Sequence, residues 1–228
     1  DCMRTPPVDE ILMRLIYPFL AITIVLASMF TFLFFAHTIY SNLFIKTHSN
    51  EERIAQYSSG DLHLYLKLNT TKISPGEGVG IIVELFYNGT NPIYVNVSNG
   101  SVLLPSPYPC GSQVLVGLKV FKGYYTTSNI SLAKPLSLYE PGTYFCPLIY
   151  AVTQYKLLPL SDQVQLIYNG RVQATLNAEI SASLNGCWIT NSISSLSGGK
   201  FTFFQPGVYT VEAVDYFNQT VLGYFTVT

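Results

Sequence analysis

Between Leu15 and Ile45 the chain carries no Asp, Glu, Lys or Arg, and the centre of that stretch reads LIYPFLAITIVLASMFTFLFFA. About 20 apolar residues suffice to cross the hydrocarbon core of a bilayer, and this run is longer. The sequence therefore predicts one transmembrane helix over 15–45. A cleaved secretory signal would have an apolar region of about 7–15 residues and then a small-x-small cut site, which does not fit. A pilin-type leader would place a small residue at its cut, where this chain has Arg14-Leu15. Pro18 falls in the first helical turn, where a missing N–H costs little.

Positive charge does not orient this helix, because Arg4 and Arg14 on one flank face Lys46 and Arg53 on the other. Glycosylation sequons do. Asn69, Asn88, Asn96, Asn99, Asn129 and Asn218 each begin Asn-X-Ser/Thr without proline at X, and all lie after the helix. With thirteen Asn in the chain and roughly one residue in six being Ser or Thr, chance supplies about two such sites. The excess predicts N-linked glycans on an exported C-terminal part. Residues 1–14 then stay in the cytoplasm, and the chain is a single-pass protein of the cell membrane in contact with lipid.

Past the helix, Ser49-Asn50-Glu51-Glu52 has the spacing of a capping box, which predicts a short helix through Tyr57 ending at Ser58-Ser59-Gly60. Residues 46–60 are accordingly expected to form a stalk helix and linker. From 61 to 228 the pattern changes to short runs of Val, Ile, Leu, Tyr, Phe and Thr separated by Gly, Pro, Asn and Ser, the pattern of an all-β sandwich or barrel. The expected strands are LHLYLKLN, GVGIIVELFY, PIYVNV, QVLVGLKVF, YFCPLIYAV, QVQLIY, VQATLNAEISASL, KFTFF, VYTVEAV and TVLGYFTV. Asn88-Gly89-Thr90-Asn91 reads as a hairpin-type connection. Val172 to Leu184 is Ala-rich and compatible with helix or strand.

A local pattern occurs twice: Tyr139-Glu140-Pro141-Gly142-Thr143-Tyr144 and Phe204-Gln205-Pro206-Gly207-Val208-Tyr209. Pro sets φ for a turn, Gly accepts the conformation that follows, and Tyr opens a strand. Two copies fit either two tandem sandwiches, divided near 157–161, or one elaborated sandwich.

Gly142-Thr143-Tyr144-Phe145-Cys146 resembles the Gly-x-Tyr-x-Cys of strand F in immunoglobulin-like domains, where a tyrosine corner precedes a disulfide cysteine by two residues. The resemblance implies an immunoglobulin-like β-sandwich and names Cys110 as the partner of Cys146. Trp188 does not lie between them, so the resemblance is to the sandwich and not to the immunoglobulin family itself. Closing the 36-residue separation would contribute about 3–4 kcal/mol in the loop-entropy description. Cys187 is then left over, as a buried thiol beside Trp188, an intermolecular bridge or an alternative partner of Cys146; Cys2 lies on the cytoplasmic side.

The chain also resembles single-pass surface glycoproteins of thermoacidophilic archaea, on Asn69-Thr70-Thr71-Lys72-Ile73-Ser74-Pro75-Gly76 and the closing PGVYTVEAVDYFNQTVLGYFTV. Archaeal stator proteins of the swimming filament are similar in plan. The resemblance implies an envelope location and dense glycosylation, and no reaction.

The search for chemistry is short. GTYFCP resembles the copper loop of cupredoxins, yet no His follows His63, so neither type 1 copper nor a dinuclear copper site can be built. A metal-free cupredoxin-like second subunit of a respiratory oxidase stays open as an alternative, as does a virion envelope protein. His37, His48 and His63 are the only histidines, and no Ser or Asp spacing around His63 suggests a triad. The exported acids, including Glu212 and Asp215, are scattered, and phosphate-binding loops and basic aromatic stripes are absent. Charged residues make up 11% of the chain, with net charge −1, against about 25% charged residues in ordinary soluble domains. That argues against nucleic-acid binding, and few carboxylates suit an acidic exterior. Seventeen Tyr and fourteen Phe exceed the needs of one small core and point to protein partners. The expectation is a non-enzymatic envelope protein without cofactor. It would assemble with itself or with other envelope or membrane-complex proteins, in an S-layer, a pilus-like filament or as an accessory subunit.

Overall fold

The computed structural model describes residues 53–97, 104–144, 152–189 and 199–228. The expected membrane span over 15–45, the sequon at Asn99, and Cys2, Cys146, His37 and His48 lie outside these residues. No helix among the described residues is long and apolar enough to cross a membrane. They are all-β, with one 3-10 turn at Ile130–Leu132. Asn50–Thr228 form one compact unit.

The first sheet has the order β1 (Arg53–Ser59), β2 (Leu62–Leu68), β4 (Val79–Tyr87) and β10 (Glu179–Leu184), antiparallel throughout. A second has the order β3 (Lys72–Ile73), β14 (Thr220–Val227), β13 (Gly207–Asp215) and β6 (Val116–Lys122), with β3 parallel to β14. The third runs β5 (Ile93–Asn96), β7 (Gln154–Leu157), β8 (Gln163–Tyr168) and β9 (Arg171–Asn177). β11 (Gly186–Ile189) and β12 (Lys200–Phe203) make a separate two-stranded sheet.

Period-two alternation builds the core. β2 turns Leu64, Leu66 and Leu68 inward and β4 turns Val79, Ile81, Val83 and Leu85 inward, opposite Tyr209, Val211, Val221, Phe225 and Val227 of the second sheet. Each such side chain taken from water contributes about 1.5–3 kcal/mol. Gly223 of β14 packs tightly against the facing sheet: a Cβ there would sit 3.0 Å from Leu66 and 3.2 Å from Leu68. Val95, Tyr155, Leu157, Val164 and Leu166 bring the third sheet into the same core.

Three local expectations are corrected. Arg53–Ser59 is strand β1, not the end of a helix through Tyr57. Gly60 adopts φ +60 and Asp61 does not, the pattern of a two-residue type II′ hairpin, so β1 folds back on β2 in register from Ser59↔Leu62 to Arg53↔Leu68. Asn88–Asn91 does not close a hairpin, because β4 belongs to the first sheet and β5 to the third. Tyr87 directs this crossing: its Oη donates to the Asn91 carbonyl at 2.6 Å and its ring covers Gly89, where no Cβ would fit. The ambiguous Val172–Leu184 stretch is neither a helix nor one strand, since the chain leaves the third sheet at Asn177 and enters the first at Glu179. Ala178 makes the switch, donating to Asp162 at 2.6 Å and accepting from Leu85 at 2.9 Å.

Residues 157–161, where two tandem sandwiches could divide, instead connect the paired strands β7 and β8. The second aromatic-x-Pro-Gly-x-Tyr copy opens strand β13, as expected. The first does not open a strand within the described residues, which reach Tyr144.

Candidate functional site

The sequon asparagines are set by strand ends and turns. Asn69 follows β2, Asn88 follows β4, Asn96 ends β5, Asn129 precedes the 3-10 turn and Asn218 lies in the β13–β14 turn with φ +63. All five are exposed. Three use their carbonyl oxygen as an acceptor: Asn69 Oδ1 from Gly80 N at 2.7 Å, Asn96 Oδ1 from Gln154 Nε2 at 2.8 Å and Asn129 Oδ1 from Thr126 N at 2.7 Å. In these three contacts Nδ2, the atom a glycan would be attached to, is not the atom engaged.

The Asn218 turn has an internal brace. Asp215 and Gln219 are each 4% exposed, and Asp215 Oδ1 accepts from the backbone N–H groups of Phe217 and Gln219, both at 2.8 Å. Asp215 Oδ2 and both side-chain polar atoms of Gln219 have no hydrogen-bond partner. Burial pushes the Asp215 carboxyl up to about 6, against the lowering effect of the two backbone donors.

Ser58 and His63 come together, which sequence spacing did not suggest. They sit opposite one another on β1 and β2, with Ser58 Oγ 2.8 Å from His63 Nδ1 and Gln56 Nε2 donating to Ser58 Oγ at 2.9 Å. Reading Gly60-Asp61 as a two-residue hairpin would have placed them in this pair. The cluster is exposed, and among the described residues no carboxylate hydrogen-bonds the imidazole. Within the described residues the pair has no orienting acid of the kind a nucleophile-activating His uses.

Glu84 forms an ion pair with Lys67 at 2.6 Å, and Glu212 with Lys119 at 2.9 Å, each across neighbouring strands. Glu179 lies directly opposite Glu84, and burial first, then the Glu84 charge, raises its carboxyl above the ordinary range. Among the described residues no three His, Cys, Asp or Glu side chains are grouped so as to hold a metal ion.

Cys110 is disulfide-bonded and adopts φ +78. Its expected partner, Cys146, is outside the described residues. Cys187 is a free, half-buried thiol, which removes it as an alternative disulfide partner. Burial raises its pKa, with Lys122 opposing, so it is not activated toward nucleophilic chemistry.

An aromatic surface forms where the first corner meets the small sheet. Ser137 bridges to Trp188 of β11, and Pro141 packs against Gly199 just before β12. Trp188 stands edge-on to Phe201, Phe201 edge-on to Phe203, and Tyr139 edge-on to Tyr144. Phe201, Phe203, Tyr139 and Tyr144 are all exposed. Sequence counts of Tyr and Phe pointed to partner surfaces without saying where they lie. The location needed the pairing of β11, which sequence analysis missed because Gly186–Ile189 is only four residues long.

Comparison with known protein families, curated proteins and solved structures yields no match for this chain.

Proposed function

We propose that this chain is a non-enzymatic, membrane-anchored envelope glycoprotein. One helix over 15–45 holds it in the bilayer, and its β region assembles with other proteins at the outer face of the cell. The observation that carries this reading is the exposure of Asn69, Asn88, Asn96, Asn129 and Asn218 at turns and strand ends, where glycans would clear the fold. The aromatic surface of Tyr139, Tyr144, Trp188, Phe201 and Phe203 supports the assembly role, because exposed aromatic clusters are typical of contact surfaces.

The β region is best described as an immunoglobulin-like sandwich. The order β2–β4–β10 facing β3–β14–β13–β6, with β3 parallel to β14, supports this. So does the tyrosine corner at the start of β13: Tyr209 Oη donates to the Gln205 carbonyl and accepts from its N–H, both at 2.9 Å. In that frame the strand F position belongs to β13, not to the segment at Cys146, and Val211 stands where the family has its disulfide cysteine.

Glycopeptide mapping of protein isolated from its native membrane tests the proposal. Glycans on most of the five exposed sequons are expected. Bare asparagines throughout, together with protection of the β region from protease added outside intact cells, would overturn it.

A further inference from the structure

We infer that two copies of this chain pair through the outer edge of β1, antiparallel and centred on Gln56. The inference rests on the assembly reading above and deepens it by naming the partner as a second copy.

The argument begins with how each sheet edge is treated. The edge of β6 is occupied by loops: Leu118 N donates to Pro105 O and Leu136 N donates to Val120 O, both at 2.8 Å. At the edge of β10, the Ser181 carbonyl accepts from Tyr108 Oη at 2.6 Å. β9 is bulged, with Leu166 opposite Ala174 but Ile167 opposite Val172, so Gln173 is the extra residue. β5 has four residues and ends in the sequon Asn96; β3 has two and β12 four. β11 is held by Trp188 N donating to Ser137 O at 2.8 Å. These are the devices by which folded proteins blunt edges.

Among the described residues β1 shows none of them. It is seven residues long, free of proline and bulge, and its one charge, Arg53, is at its end. No strand among the described residues pairs its outer side. Ile54 is 57% exposed and Tyr57 48% exposed.

Its hydrogen-bonding direction follows from the hairpin. Ser59↔Leu62 closes the two-residue turn and is a hydrogen-bonded pair, as then are Tyr57↔Leu64, Ala55↔Leu66 and Arg53↔Leu68. Ile54, Gln56 and Ser58 therefore aim their N–H and C=O groups away from β2. A two-fold axis at Gln56 sets these three opposite Ser58, Gln56 and Ile54 of the second copy, so every outward group meets a complement.

The side chains agree with that register. Ala55 faces Tyr57 of the other copy, small under large, on the core side of the sheet. On the other side Ile54 faces Ser58, and the two Gln56 amides meet across the axis. Arg53 faces Ser59, so within Arg53–Ser59 no like charges are opposed. The product is one continuous sheet built from the four-stranded first sheet of each copy.

Cysteine cross-linking of the full chain in detergent tests this, with copper–phenanthroline and oxygen as the oxidant and each bond assigned from its peptides. Opposed Cα atoms of a hydrogen-bonded antiparallel pair are about 5.5 Å apart, within disulfide reach. Gln56→Cys is expected to link to itself in most of the protein. Ile54→Cys and Ser58→Cys alone are each expected to give at least tenfold less, and mixing those two variants restores the link. Gln56→Pro removes an outward N–H that β2 does not use, and is expected to retain the fold while abolishing the dimer. A Gln56→Cys chain that stays unlinked overturns the inference, as does equal self-linking at all three positions. If the unlinked chain still runs as a larger assembly on native sizing, the edge pairing fails and the assembly reading stands. A lone monomer ends both.

Discussion

Phe204-Gln205-Pro206-Gly207-Val208-Tyr209 and Tyr139-Glu140-Pro141-Gly142-Thr143-Tyr144 share their spacing, and in each the tyrosine hydroxyl donates to the carbonyl four residues back. Tyr209 is 2% exposed and stacked on Phe225 at 5.0 Å, whereas Tyr144 is 40% exposed and touches Tyr139 edge-on. Gly207 adopts φ +139, while Gly142 stays outside the positive range. The same six-residue pattern thus makes the same hydrogen bond in two different settings. A local motif specifies a turn; the packing around its tyrosine decides whether the turn anchors a core or decorates a surface.

The largest expected effect that would break this contrast is on stability. Tyr209→Ala should cost about 3–5 kcal/mol, as for other buried aromatics, while Tyr144→Ala should stay within about 0.5 kcal/mol. Denaturant unfolding of the full chain in detergent measures both, and equal losses would dissolve the distinction.

Acidification sharpens it next. β13 begins at the buried corner and ends at Asp215, whose carboxyl is raised from 3.8 to about 6 by burial. The folded state then binds more protons than the unfolded state between those values, so stability falls as pH rises through that window. Melting is expected to show a gain of roughly 2 kcal/mol on going from pH 7 to pH 4. Glu179, also raised by burial, adds in the same direction. Asp215→Asn should flatten most of the slope, and an unchanged slope would place the titrating group elsewhere.

Smaller effects follow from the hydroxyls and glycines. Tyr209→Phe leaves the Gln205 N–H and carbonyl without their shared partner and should cost about 1–3 kcal/mol, against under about 0.5 kcal/mol for Tyr144→Phe. Gly207→Ala should cost about 1 kcal/mol, because an L residue is strained at that φ, while Gly142→Ala should be close to neutral. Thermal shifts of these four variants report the ranking.

Where alternation was strong the sequence was legible. QVQLIY and TVLGYFTV coincide with β8 and β14 residue for residue, and LHLYLKLN and VYTVEAV differ from β2 and β13 only at their ends. Strands whose partners carry the information were not legible. β1 buries almost nothing and exists because the Gly60-Asp61 turn lays it on β2, so a capping-box pattern in front of it misled. Sheet membership was hidden as well, since Ala178 and Tyr87 redirect the chain through contacts far apart in sequence. The sequons could be read directly, whereas the Ser58–His63 contact and the braced Asp215 turn depend on register and burial. The oriented aromatic surface depends on β11 pairing with β12, two short strands that only the fold brings together.

Native mass spectrometry of the full chain, released from its own membrane in mild detergent, tests the central claim of an exported assembly protein most directly. The expected result is a complex larger than one chain, carrying glycan mass on the copy that contains Asn69 through Asn218. A single chain at its bare polypeptide mass would contradict it.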